Sequence, residues 1–107
     1  MREFWNQKFA GTAYKYGEQP NAFLFEQAGL IPPGSQVLVP GDGEGRNGVW
    51  LATQGHHVTS VDCSDVGLDK TRHLAQRKGV QLETVLADLT EWSPAESSFD
   101  AVAVAYL

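Results

Sequence analysis

The chain has 107 residues, 42% of them hydrophobic and 20% charged, with a formal charge of 8 − 13 = −5. This is ordinary composition for one globular domain, and it excludes a disordered tail, a collagen-like repeat and a disulfide scaffold. The acidic balance repels a phosphate backbone, so no nucleic acid partner is expected.

Cys63 is the only cysteine, and no Cys/His spacing suggests a metal site. The longest apolar run, 101–107, is too short to span a bilayer, and the N-terminus lacks an apolar signal core. The expectation is a cytoplasmic protein with no membrane partner.

Residues 1–34 read as an N-terminal helical arm, rich in aromatics (Phe4, Trp5, Phe9, Tyr14, Tyr16, Phe23, Phe25). Asn21 is an N-cap candidate for a helix over 22–28, with Phe23, Leu24 and Phe25 as its apolar content and Gly29 as its stop. Pro32-Pro33-Gly34 then forces a turn, because two fixed φ angles and a glycine do not continue a helix.

From Ser35 the texture changes to short apolar runs alternating with helical stretches, a βαβ core over 35–107. Val37-Leu38-Val39 is the first strand, and 45–54 is a helix burying Val49, Leu51 and Ala52 before Gly55. The second strand is 57–61. Ser64 or Asp65 caps a helix that runs to Lys78, with Leu68, the Arg72 stem and Ala75 on one side and Gly79 at its end. Lys70, Arg72, His73, Arg77 and Lys78 read as a solvated basic face. Strands over 80–87 and 99–106 follow, joined by 88–98, which has room only for a short helical turn near Pro94-Ala95-Glu96. The spacing predicts an α/β fold with a parallel sheet.

The most informative stretch is Gly41-Asp42-Gly43-Glu44-Gly45-Arg46-Asn47-Gly48, a glycine-rich turn that leaves a strand and opens a helix. Glycines admit positive φ and close approach of a ligand, while the helix N-terminus offers unpaired N–H groups. In an open α/β sheet, ligands sit in this crevice. Two registers compete. Gly43-x-Gly45-x-x-Gly48 fits a dinucleotide fingerprint of the NAD type, with Asp62 near the expected ribose acid. Gly41-x-Gly43-x-Gly45 fits the loop of S-adenosylmethionine-dependent methyltransferases. Charge separates them: a pyrophosphate beside Asp42 and Glu44 meets like charge, at about 4 kcal/mol per contact at 4 Å and an effective dielectric near 20. A sulfonium carries no such penalty. Asp62 ends the second strand and Asp88 the third, where carboxylates can accept from ribose hydroxyls and from an exocyclic amine; as alternatives, Asp62 caps a helix and Asp88 opens an Asx-turn.

Taken together, these residues resemble class I S-adenosylmethionine-dependent methyltransferases. Phe4-Trp5-Asn6, Tyr16-Gly17 and Pro20-Asn21-Ala22-Phe23-Leu24 look like the tellurite-resistance-type small-molecule branch, and Val39-Pro40 is similar to the thiopurine methyltransferases. The resemblance implies a Rossmann-like sheet in strand order 3-2-1-4 and S-adenosylmethionine as cofactor. It implies a cofactor loop of Gly41, Asp42, Gly43 and Gly45, with Asp62 and neighbouring Cys63 at the ribose and Asp88 with Leu89 at the adenine. Ala105 and Tyr106 would border the methionine part, and Tyr16 would cover the cofactor. The acid that the family carries two places before the first loop glycine is Val39 here, a departure that only Asp42 or Glu44 could make good.

The implied activity is methyl transfer to a small-molecule acceptor, with this chain as the N-terminal cofactor-binding half, truncated after strand four. A non-catalytic cofactor-binding or oligomerisation module is the alternative. The uncovered edge of strand four suggests a homodimer. No catalytic residue is assigned.

Overall fold

The computed structural model describes residues 1–94 and 98–104. The elements run α1 (Arg2–Lys8), α2 (Ala22–Gln27), a 3-10 turn (Ala28–Leu30), β1 (Gln36–Pro40), α3 (Arg46–Thr53), β2 (His57–Asp62), α4 (Asp65–Lys78), β3 (Glu83–Leu86) and β4 (Ala101–Val102). All strand pairs are parallel and the order is β3-β2-β1-β4, the Rossmann-like arrangement expected.

The register sets Val37 beside Val58 and Ala101. These side chains join Val39, Leu51 and Ala103 in the principal core, against which Leu24, Ile31 and Trp50 pack. A second cluster, Val49, Leu74 and Ala75 with Tyr14 and Val80, fixes α3 against α4. The helix ends are specified locally. The Asn21 side chain accepts from the N–H groups of Phe23 and Leu24, and Ser64 Oγ accepts from Gly67 N–H at 3.0 Å. Each such cap contributes about 1 kcal/mol. Gly79, at φ +72°, ends α4 in the left-handed conformation that favours glycine.

Four sequence expectations are corrected. Gly29 does not stop α2. The chain passes through it into the 3-10 turn, and the extended backbone of Ile31 ends the helical path. Phe23 and Phe25 are exposed, and Leu24 alone of that trio reaches the core. Strand three begins at Glu83 rather than residue 80, because Val80 N–H bonds Ala75 C=O in the α4 terminus and its side chain joins the second cluster. Arg72 is exposed and pairs with Asp69 and Thr84, whereas Lys70 leaves the basic face altogether and is buried with Gly67, Leu68, Thr71, Leu74 and Ala75. Strand four spans two described residues; Ala105 and Tyr106, and most of the expected turn near Pro94, lie outside the described residues. Among the described residues no helix is long and apolar enough to cross a membrane.

Candidate functional site

The turn after β1 is built from left-handed glycines: φ is +65° at Gly41, +62° at Gly43 and +89° at Gly45. Gly41 N–H donates to Val61 C=O at 2.7 Å, which holds the start of the turn against the end of β2. Gly45 is the N-cap of α3. What demands glycine here is largely the protein itself. A Cβ on Gly43 would lie 3.1 Å from the Phe9 ring, and one on Gly45 would lie 2.6 Å from Thr71. At Gly48 it would strike the Asp42 carboxylate, and on the facing helix a Cβ at Gly67 would come within 2.7 Å of Gly43 C=O. The loop is therefore clamped between α4 and the N-terminal arm.

The three acids of this region have separate structural duties. Asp42 turns inward: its carboxyl group accepts from Ser60 Oγ at 2.7 Å and from Gly48 N–H, in the first turn of α3, at 3.2 and 3.3 Å. Glu44 is buried too, accepting from Lys15 N–H at 2.8 Å and pairing with Lys70 Nζ at 2.7 Å. The two acids that flank Gly43 thus point at the protein and not into the crevice, and Lys70 compensates one of them. The charge discrimination read from sequence is correspondingly weaker than two free carboxylates would give. Asp62 closes the arrangement. It is the last residue of β2, and its carboxylate accepts from Gly43 N–H at 2.8 Å and from Ser64 N–H at 2.9 Å. Asp62 is as buried as Asp42, but a carboxylate has about four lone-pair sites and the two N–H groups use only two of them.

Burial pushes the Asp42 carboxyl up to about 7; the nearby Asp62 charge adds to this, against the downward pull of the Ser60 and Gly48 hydrogen bonds. The folded chain then holds a proton that the unfolded chain, near its ordinary value of 3.8, has released. Stability from this group is full below pH 4 and declines as pH rises towards 7, by up to roughly 4 kcal/mol for a shift of about three units. Asp42→Asn should flatten that decline in the empty protein. Urea unfolding at pH 5 and pH 8 checks it: an unchanged slope would place the charge elsewhere.

Other candidate positions lie around the same rim. Ala87 N–H donates to Asp62 C=O at 3.0 Å, so the ends of β2 and β3 stay together. Asp88 is exposed and forms an Asx-turn, accepting from Thr90 N–H at 2.9 Å and Thr90 Oγ1 at 2.7 Å, bonds that hold its carboxyl below the usual range. Leu89 beside it is half-buried. Tyr16 is exposed, with the Arg46 guanidinium 5.8 Å and the Lys15 ammonium 5.5 Å from its ring centre. Cys63 is half-buried, and burial with the Asp62 charge raises its thiol pKa, which suits packing rather than nucleophilic chemistry. Val39 is in the core, so no acid stands two places before Gly41.

Sequence reasoning missed Lys70, Ser60, Thr71 and Phe9 as supports of the loop. A signal existed for Lys70: positions 67, 70, 71 and 74 form one stripe of a 3.6-residue helix, and a lysine on a stripe otherwise small or apolar needs a buried partner.

Known proteins match this architecture. A thiopurine S-methyltransferase of Bordetella petrii is 32% identical over 71 residues, which are 64% of this chain and 32% of that protein. A solved structure described as converting a disulfide bond into a thioacetal group during echinomycin biosynthesis superposes with a TM-score of 0.76 at 30% identity, covering 100% of this chain and 47% of that one. A TehB-like SAM-dependent methyltransferase from Corynebacterium glutamicum superposes with a TM-score of 0.66 at 28% identity, covering 97% and 52%. The chain thus spans about a third of the length of the curated relative and half that of the solved structures. Residues 37–107 match the methyltransferase domain family, and the chain belongs to that family.

Proposed function

We propose that this chain forms the cofactor-binding part of an S-adenosylmethionine-dependent methyltransferase that acts on a small-molecule acceptor. The observation that carries the reading is the Asp62 carboxylate, which holds Gly43 N–H and so locks the glycine turn to the end of β2 with two acceptor directions left over. Thiopurine and TehB-like methyltransferases among the similar proteins support the same reading.

The residues fit the cofactor's chemistry. Left-handed glycines bring backbone close to the crevice, Asp62 can take ribose hydroxyls, and Asp88 with Leu89 can take the adenine edge and face. Gly41, Asp42, Gly43 and Gly45 shape the loop, Cys63 follows the ribose acid, and Tyr16 stands at the rim. When bound, the cofactor supplies a methyl group on a sulfonium. The protein's own part is to hold its partner in line with that group; positioning of this kind contributes about 7–11 kcal/mol without a general base. The lone cysteine fits a reducing, cytoplasmic setting, and the place of β4 at the edge of the described sheet, with Val102 exposed, fits self-association into a homodimer, to be read by light scattering across a concentration series.

Calorimetry with S-adenosylhomocysteine and NAD tests the cofactor. Saturable binding of the first and none of the second is expected; the reverse would return the loop to the dinucleotide register. Asp62→Ala should weaken S-adenosylhomocysteine by at least about tenfold, since a hydrogen bond to a charged group contributes roughly 1.5–3 kcal/mol. Its melting temperature falls as well, because Gly43 and Ser64 N–H groups lose their buried acceptor. A 2′-deoxy ligand separates the two effects: the missing hydroxyl should cost affinity in the parent and nothing further in Asp62→Ala.

A further inference from the structure

We propose that Glu44 and Lys70 are positioning residues that couple docking of the N-terminal arm to occupancy of the cofactor loop, through the backbone of residues 13–15. The inference rests on the cofactor reading above.

The pair is divided between two tasks. One Glu44 oxygen meets Lys70 Nζ at 2.7 Å; the other accepts from Lys15 N–H at 2.8 Å. Lys70 Nζ in turn donates to Ala13 C=O at 2.6 Å. Each partner thus spends one contact on the pair and one on the arm's main chain. Tyr14, between those two arm residues, donates from its hydroxyl to Lys70 C=O at 2.8 Å, and its ring has Lys70 Nζ at 5.3 Å and the Arg77 guanidinium at 5.4 Å. Residues 13–15 are held from both sides.

Polarity gives the arrangement direction. A carboxylate accepts only and an ammonium donates only, so this pair fits one register of the arm and no neighbouring one. A buried ion pair contributes little net stability over an apolar pair, whereas fixing register is its better attested use. Here the fixed register delivers two aromatic rings to the loop. Phe9 fills the side-chain space at Gly43, and Tyr16 reaches the Arg46 guanidinium at the first turn of α3. Glu44 sits between Gly43 and Gly45, so any shift of the turn on ligand entry is felt by the arm, and arm release is felt by the turn.

Linkage makes this reciprocal: the factor by which the docked arm strengthens the ligand is the factor by which the ligand strengthens docking. The test uses variants that leave the buried pair intact. Lys15→Pro deletes the N–H that donates to Glu44, Lys15→Ala keeps that N–H and removes the side chain over the Tyr16 ring, which Lys15→Pro removes too, and Tyr14→Phe deletes only the hydroxyl. Arm docking is read by the rate of tryptic cleavage after Lys8, whose following residue Phe9 is buried. Ligand affinity is read by calorimetry with S-adenosylhomocysteine, and folding of the sheet by thermal unfolding without ligand.

Lys15→Ala should match the parent. Lys15→Pro should cleave about tenfold faster and bind about tenfold more weakly, within the usual range of coupling, with Tyr14→Phe intermediate in both. Saturating ligand should slow parent cleavage by the same factor. Faster cleavage with unchanged affinity, in Lys15→Pro or in Tyr14→Phe, overturns the coupling while leaving the cofactor reading standing. Absence of binding by the parent overturns both.

Discussion

Lys70→Met is expected to lower the free energy of unfolding by about 3–5 kcal/mol, the usual cost of removing one partner from a buried ion pair. Side-chain exposure is 9% for Lys70 and 3% for Glu44, so water cannot replace the lost ammonium at the carboxylate. Ala13 C=O loses its donor in the same step. Methionine keeps most of the stem's volume, so the loss reports charge rather than packing. The double variant Glu44→Gln/Lys70→Met should recover a large part of it, because no uncompensated charge then remains inside. Urea denaturation of the parent, Lys70→Met, Glu44→Gln and the double variant gives the coupling energy directly. A single-variant loss below about 1 kcal/mol would mean that the pair behaves as a solvated one.

Gly45→Ala should cost about 2–6 kcal/mol, the sum of two penalties. Its φ of +89° is strained for any residue with a Cβ, at roughly 1–3 kcal/mol. The added carbon would also lie 2.6 Å from two Thr71 side-chain atoms, and forcing α4 away costs roughly a further 1–3 kcal/mol. Gly79→Ala serves as the control: φ there is +72°, but a Cβ meets nothing within 4 Å. Only the first penalty applies to it. Thermal and urea unfolding should rank the two clearly, and equal losses would remove the steric part.

Much of this was legible before any coordinates. Strand, glycine turn and helix over 36–53 follow from local chemistry: an apolar run, residues suited to positive φ, then helix formers. Asp62 at the end of β2 follows from where Val58 and Val61 place the strand. The duties of Asp42 and Glu44 did not follow, because a sequence shows that two acids flank Gly43 without showing which way they turn. Their partners, Ser60 and Lys70, lie 18 and 26 residues away. Likewise, Phe9 and Thr71, which impose glycine at 43 and 45, enter from the arm and α4, and that requirement is indistinguishable in sequence from one imposed by a ligand. The length of β3 was misjudged for a related reason, since Val80 is as suitable for a strand as for packing against the second cluster.

Trp5 stacks on Phe9 with ring centres 5.4 Å apart, and Phe9 in turn rests on Gly43. An indole is therefore wired to the loop through a single aromatic neighbour. With Trp50 and Trp92 replaced by phenylalanine, the tryptophan fluorescence of the protein would come from that one ring, and its emission would follow arm movement in real time without an added dye.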